Sequence, residues 1–342
     1  MNIALDATYS IGEHLSGVGV YSREMLFGLA SAHPETRFSF CYRPHRYFRS
    51  KESLPGNASR RLLLEPLGPR SASLFHGLNQ RLPRIRMKRA VATFHDLFVI
   101  TAEYSTPEFR ARFTAQAREA AARADLIIAV SEFTKSQVVD LLGAPAAKVR
   151  VVHHGVSLPA GTPETCPTHT VLHVGAIQKR KNIARLVEAF ESLGGDWQLV
   201  LAGSFGYGAE AIRERIAASP ARARISVPGY VAPGELSRWY RRAAIFAFPS
   251  LDEGFGMPVL DAMAAGIPVV TSNRSALPEV AGDAALTVDP ENTADLAQAL
   301  GRLARDESLR RELSARGRAR AKLFTWAKAV HETWNVYLEL LG

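Results

Sequence analysis

Short apolar runs alternate along this chain with longer amphipathic stretches. In the first half, apolar runs at 3–7, 38–42, 62–64, 74–76, 90–94, 126–130 and 149–152 read as strands. Helical periodicity fills 20–30, 107–123 and 132–142 between them. In the second half, strands are expected at 170–174, 198–202, 224–227, 245–248, 268–271 and 285–288. Helices are expected near 183–193, 207–218, 233–242, 258–265, 276–281 and 293–304. Strands alternating with helices imply βαβ units and parallel sheets. The stretch from Leu158 to Thr168 holds three prolines and little periodicity, so it reads as a linker. The expected fold class is α/β, with two Rossmann-like, doubly wound domains facing a central cleft at their strand C-terminal edges. The boundaries are 1–155, a linker at 156–169, a second domain at 170–322, and a final segment at 323–342.

Composition narrows this picture. A chain of 342 residues has a two-domain length. Hydrophobic residues at 47% and charged residues at 22% exclude wholesale disorder. No window is long and apolar enough to cross a bilayer, and the start, Met1 to Asp6, lacks the basic and apolar regions of a signal peptide. Cys41 and Cys166 form no Cys-x-x-Cys, which argues against a disulfide framework or a zinc site and fits a reducing, cytoplasmic setting. The net charge of +9 is uneven. Residues 37–89 hold 13 basic and 2 acidic residues, whereas residues 156–342 hold 21 and 20. Such a cluster attracts polyanions, or is simply a well-solvated arginine-rich surface.

The segment from Ser250 to Thr271 is the richest in chemistry. Pro258 suits the first position of a helix, Gly266 suits its C-cap, and Pro268 begins the next strand. Glu253, Gly254, Phe255 and Gly256 then form a loop feeding a helix N-terminus, whose exposed amides suit an anion. Glu253 and Asp261, placed in the first helical turn, make sense beside an anion if they accept from sugar hydroxyls. The same spacing fits a loop Glu and an Asp favouring the helix dipole.

Lys179, Arg180 and Lys181 precede a helix expected to be capped by Asn182. Three cations at a positive helix end oppose the macrodipole, a conflict that a diphosphate ligand or plain solvation resolves. Gly17 and Gly19, in Ser16-Gly-Val-Gly-Val-Tyr21, let a backbone approach a ligand at the start of helix 20–30. Ser22 stands where a dinucleotide fingerprint has its third glycine, so a tight turn explains them equally. His95 and Asp96 end a strand: a neutral His can donate to a sugar hydroxyl, and an Asp can accept from one. His76, His153 and His154 also end strands and read as structural.

Together these segments resemble the retaining, nucleotide-sugar-dependent glycosyltransferases of family 4, which have the GT-B fold. The likeness runs over nearly the whole chain. It includes the Ser16–Tyr21 motif, Phe94-His95-Asp96-Leu97, Val130-Ser131-Glu132-Phe133-Thr134, His154-Gly155-Val156, Arg180-Lys181-Asn182, Val227-Pro-Gly-Tyr-Val231, the 253–270 signature and Phe324-Thr-Trp326. The resemblance implies that Arg180 and Lys181 bind the donor diphosphate. It implies that Glu253 contacts the donor sugar, and that Gly254, Phe255, Gly256 and Met257 lie near sugar or phosphates. Asp261 stands where the family has a second Glu on the ribose, one methylene longer, and Ala176 stands where some relatives carry Arg. Gly17 and Gly19 match the loop closing over donor and acceptor, and His95 matches a histidine near the donor sugar, with Asp96 on the acceptor side. Tyr230 and Val231 match the nucleobase contacts. The family also implies a final helix, 326–341, crossing back to the first domain; its Trp326, Val330, Trp334, Tyr337 and Leu341 are spaced for one face.

No Asp-x-Asp motif occurs, and cations, helix ends and loop amides can supply the same stabilisation of a leaving diphosphate. The expectation is therefore metal-independent, retaining hexosyl transfer without a further cofactor. GDP-mannose is the preferred donor and UDP-sugars stay open; the acceptor is a glycan or a polyprenyl-diphosphate-linked glycan of surface polysaccharide synthesis. The basic segment 37–89 then points to an anionic membrane surface, hence a cytoplasmic protein peripheral to the inner face. Competing readings are a GT-B-fold epimerase or phosphorylase, and a basic nucleic-acid-binding protein. The last lacks interleaved aromatics in a recognisable motif, so no nucleic acid is expected.

Overall fold

A computed structural model of the chain describes residues 1–12, 14–65, 68–69, 71–156 and 168–342. The chain divides into two units, Met1–Gly155 with Thr325–Gly342, and Val156–Phe324. Most of the expected linker, and Cys166, lie outside the described residues; Thr168 and His169 already belong to a strand.

The first unit holds strands β1 (Asn2–Asp6), β2 (Arg37–Tyr42), β3 (Ala58–Leu62), β4 (Leu74–Gly77), β5 (Ala90–Phe94), β6 (Leu126–Ala129) and β7 (Val149–Val151). They form one parallel sheet in the order β3-β2-β1-β4-β5-β6-β7. The register is set at its centre, where Ile3 pairs with Phe38 on one side and Leu74 on the other. The order reverses between β1 and β4, leaving a switch point at their C-terminal ends. Helices cover both faces of a parallel sheet, which is why β1, β4, β5 and β6 read as almost unbroken apolar runs and are buried.

The second unit holds β8 (Thr168–Val174), β9 (Gln198–Ala202), β10 (Ile225–Gly229), β11 (Ala243–Phe248), β12 (Val269–Ser272) and β13 (Ala285–Val288). Their order, β10-β9-β8-β11-β12-β13, is the doubly wound Rossmann order, with the switch point between β8 and β11. Every residue of β11 is buried, and Ile245 and Ala247 join Val171, Leu199 and Leu201 in the core. Each unit is thus an α/β domain of Rossmann-like build, as expected.

The final helix, Trp326–Leu341, belongs to the first unit and packs on helix Gly17–Ala32. A side chain at Gly28 would meet Val330 Cγ2 at 2.5 Å, and the His33 ring stacks on Trp334 at 3.6 Å. Tyr337 is fully buried, and its hydroxyl lies 2.6 Å from His76 Nδ1. His76 Nε2 in turn meets Thr93 Oγ1 at 2.8 Å, and Thr93 meets the Tyr21 hydroxyl at 3.0 Å. A buried polar chain thus ties the helix to β4, β5 and the first helix, satisfying groups that would be costly alone.

Four local expectations are corrected. The edge strand β3 lies at Ala58–Leu62, ahead of the expected 62–64. Helix Gly17–Ala32 starts three residues early, so Gly17 and Gly19 stand in its first turn, with Ser16 Oγ accepting from Gly19 N at 3.4 Å. Asn182 caps nothing with its side chain, as described below. Helix Glu307–Ala321, packed against helix Met257–Ala265, was not expected at all.

The basic segment 37–89 does not form one surface. Arg46, Arg49 and Lys51 follow β2 at the C-terminal edge of the sheet, whereas Arg84, Arg86, Lys88 and Arg89 precede β5 at the N-terminal edge. The latter four line a groove of about 1000 Å³ with Leu82 and Met87. Among the described residues no helix is long and apolar enough to cross a membrane.

Candidate functional site

The switch point of the second unit gathers the strongest charges. β8 ends at Val174 and runs through Gly175 into a single 3-10 turn, Lys179–Lys181, before helix Ile183–Glu191. β11 ends at Phe248 and runs through Pro249 and Ser250 to Glu253. The Glu253 Oε1 atom accepts from Lys181 Nζ at 2.6 Å and lies 2.7 Å from Arg180 NH1. Arg180 also donates to the Asp252 carbonyl, and Leu251 N donates to Arg180 O at 2.9 Å, so the two loops are laced together. All three side chains are about nine-tenths buried.

Two cations thus share one buried carboxylate oxygen, Glu253 Oε1. Burial pushes the Glu253 carboxyl up, but Arg180 and then Lys181 outweigh it and hold it at about 2. Such a cluster is a poor source of stability, because desolvation offsets most of the attraction. It suits an anion, since a phosphate can replace the carboxylate as the partner of both cations where helix N-termini add their own field.

The surrounding residues keep this arrangement open and fixed. Gly175 has φ +147°, and a side chain there would sit 3.8 Å from Lys181 Nζ and 3.7 Å from His173 Nε2. Glycine therefore leaves the space in front of the ammonium clear. The Lys181 ammonium also lies 4.5 Å from the centre of the Phe248 ring, which stacks on His173. His173 is buried and accepts no charge readily: burial pushes its ring down to about 4. Asn182 takes a left-handed conformation, φ 60°, and its Nδ2 donates to the carbonyls of Pro249 and Pro290 at 3.1 and 2.6 Å. It is a clamp between loops instead of the expected cap. Ser275, the other non-glycine residue at positive φ, accepts from Glu253 N at 3.0 Å through its Oγ. Strain of this kind collects at functional sites. His173, Phe248 and Ser275 escaped the sequence reading, since no local motif marks a core histidine or a strained serine.

Gly254, Phe255 and Gly256 are buried, and Phe255 packs edge-on to Phe324 at 5.9 Å. Gly256 has φ +106° and precedes helix Met257–Ala265, with Pro258 in its first turn and Gly266 at its C-cap. Asp261 lies in the second turn of that helix instead of the first. It is half-buried, and burial pushes its carboxyl up to about 7. Tyr230 and Val231 follow β10 at the same sheet edge, two strands from β8; Tyr230 is 43% exposed and Val231 is buried.

Gly17, Gly19, His95 and Asp96 stand in the first unit. A side chain at Gly19 would meet the Tyr9 carbonyl at 2.9 Å, so this glycine serves loop packing. His95 follows β5 and is buried. Its Nε2 lies 2.9 Å from the Leu78 carbonyl, which only accepts, so the proton sits on Nε2. Its Nδ1 faces His154 Nε2 at 3.4 Å, and burial pushes the ring down to about 4. Both ring nitrogens thus meet partners within the first unit. Asp96 is half-buried beside it in sequence.

Comparison with known proteins gives the family and the fold. The family description "Glycosyl transferases group 1" matches residues 164–320, and "Glycosyltransferase Family 4" matches residues 69–159. The O-antigen chain mannosyltransferase B of Escherichia coli is 33% identical over 281 residues, 77% of this chain and 74% of that one. In fold, the chain is similar to the sucrose-phosphate synthase of Thermosynechococcus elongatus, with a TM-score of 0.79, 21% identity and coverage of 99% and 98%. It is also similar to Anabaena HepE in complex with UDP and glucose, with a TM-score of 0.75, 15% identity and coverage of 98% and 99%.

Proposed function

The chain belongs to the family 4 glycosyltransferases, and from that premise we propose that it moves mannose from GDP-mannose, with retention, onto a glycan of surface polysaccharide synthesis. The observation that carries the donor half is the Arg180–Glu253–Lys181 cluster at the β8/β11 switch point. Departure of a nucleoside diphosphate concentrates negative charge on its β-phosphate. Lys181 and Arg180, with the amides at the start of helix Met257–Ala265, stabilise that charge in a preorganised, largely dehydrated setting. This route needs no metal, which fits a sequence without Asp-x-Asp. The departing phosphate takes the acceptor proton, so no side-chain base is required.

Glu253 sets the position of both cations and turns its carboxylate toward the sugar when the diphosphate replaces it as their partner. Asp261 holds the ribose, and Tyr230 with Val231 flanks the base. Mannose as the transferred sugar is favoured by the relative that bears the name O-antigen chain mannosyltransferase B; a polyprenyl-diphosphate-linked acceptor is the further reading of the basic first unit. The groove of Arg84, Arg86, Lys88 and Arg89 favours peripheral attachment to an anionic membrane on the cytoplasmic side.

A thermal-shift series with GDP, UDP and ADP tests the donor. GDP should raise Tm most; a larger rise with UDP would replace the base assignment with a UDP-sugar. The anomer of the transferred sugar, read by NMR, tests retention. Release of nucleoside diphosphate without any acceptor would favour the epimerase reading.

A further inference from the structure

We propose that a cavity at the C-terminal edge of the first unit's sheet is a subsite for a phosphate or diphosphate group carried by the acceptor; this rests on the glycosyl-transfer reading above. The cavity measures about 900 Å³ and is formed by the segments that follow β1 and β2, with the start of helix Gly17–Ala32. That edge of an open parallel sheet, beside its switch point, is where ligands bind.

The charge of the lining is one-sided. Arg23, Arg46, Arg49 and Lys51 face one carboxylate, Glu52, among the described lining residues. Glu52 is already committed, since its Oε1 accepts from Arg23 NH1. Arg46 NH1 donates to the Ile11 carbonyl at 3.0 Å, which anchors the guanidinium to the rim without neutralising it. Arg49 and Lys51 are exposed and make no ion pair among the described residues. The helix that opens onto the cavity has no acidic residue in its first turn, so its positive end adds to the same field.

A neutral glycan is held by paired carboxylates and amides and by flat aromatic faces. Among the described residues this lining offers one carboxylate, which is spent, and the rings of Tyr9 and His14. Its complement is an anion with several acceptor oxygens, the chemistry of a phosphate ester or diphosphate. The groove of Arg84 to Arg89 on the opposite edge is a separate feature. A phosphate held here lies at the ligand-binding edge, where it orients the acceptor for transfer.

The test uses the full chain with its nucleotide site saturated by whichever nucleoside diphosphate stabilises it. Calorimetric titrations compare geranyl diphosphate, geraniol and inorganic pyrophosphate. Geranyl diphosphate should bind and geraniol should not, and the double variant Arg49→Glu/Lys51→Glu should weaken binding about tenfold or more. Both residues are exposed, so Tm and the nucleotide-induced shift should persist; Arg49→Ala/Lys51→Ala provides a milder version. Lys181→Ala should do the reverse, losing the nucleotide shift and keeping geranyl diphosphate. Pyrophosphate binding as tightly as geranyl diphosphate indicates a soluble phosphorylated acceptor, and weaker binding indicates a lipid-linked one. The proposal is overturned if geraniol binds equally well, or if the double variant binds geranyl diphosphate like the parent. Geranyl diphosphate bound normally with no nucleoside diphosphate effect at all would instead sink the donor reading.

Discussion

Lys181 Nζ stands 2.6 Å from Glu253 Oε1, although the two residues are 72 positions apart in the chain. The contact joins the loop after β8 to the loop after β11, the two strands that flank the switch point. Lys181→Ala removes one cation but leaves Arg180 NH1 2.7 Å from the carboxylate, so no buried charge is orphaned. The variant should stay folded, while kcat/KM falls on the order of a hundredfold, the usual size for one lost electrostatic contact to a developing anion. Steady-state kinetics with a parallel melting curve decides this; unchanged kinetics would remove Lys181 from the diphosphate site.

Glu253→Gln makes the opposite imbalance. Arg180 and Lys181 then lose the buried carboxylate they share, at a cost of about 3–5 kcal/mol. Because the cations no longer compete for a carboxylate, a nucleoside diphosphate should bind the variant more tightly than the parent even as turnover drops. The pH dependence follows from the depressed carboxyl, which moves from its ordinary 4.5 to about 2. Its contribution is complete above the ordinary value and fades as pH falls through about 2, so the parent's advantage over Glu253→Gln should shrink below pH 4.5. Denaturant titrations at several pH values, with and without nucleotide, measure both effects.

Asp261 titrates in the other sense. Burial lifts its carboxyl from an ordinary 3.8 to about 7. Between those values the folded chain holds a proton that the unfolded chain has lost, so stability falls as pH rises through the window. Asp261→Asn should abolish that fall and be the more stable protein at pH 8. If the carboxylate accepts from ribose hydroxyls, nucleotide affinity in the parent should strengthen as pH rises through about 7. Calorimetric titration should find that pH dependence missing in Asp261→Asn.

Much of this chain can be read locally, and the exceptions share a cause. Strands β5 and β9 fall on their expected residues because a strand buried on both faces is an apolar run with sharp ends. Glu253 and the Lys179–Lys181 run stand out because charges beside glycines at a strand end have few structural uses. Helix Glu307–Ala321 was hidden because its buried face is Leu313, Ser314, Gly317 and Ala321, mostly small residues with little apolar contrast. A side-chain carbon at Gly317 would lie in ordinary contact with Met263 at 3.4 Å, so this face packs closely on helix Met257–Ala265. Asn182 was misjudged because its partners, Pro249 and Pro290, lie 67 and 108 residues away. A strand-end position likewise says nothing of Leu78 and His154, the partners of the His95 ring nitrogens.

The buried histidines predict how the protein fails in acid. Burial pushes His76 down to about 3 and both His95 and His173 to about 4, and it lowers His154 as well. Each is neutral in the folded chain and titrates near 6.5 once exposed, so unfolding takes up protons below that value. The histidines' contribution should be level above pH 6.5 and decline as pH falls toward 4, with a slope approaching about 5 kcal/mol per pH unit when all four contribute; Asp261 opposes it between 3.8 and about 7, so the rings are read in the Asp261→Asn background. Tyr337→Phe sharpens the test, because it leaves His76 Nδ1 without the hydroxyl 2.6 Å away, at about 1–3 kcal/mol. That loss should appear at pH 8 and diminish in acid, where a released His76 ring can bind its proton. Melting curves from pH 8 to pH 4 provide the measurement; a level Tm across that range would contradict the neutral, buried state of these rings.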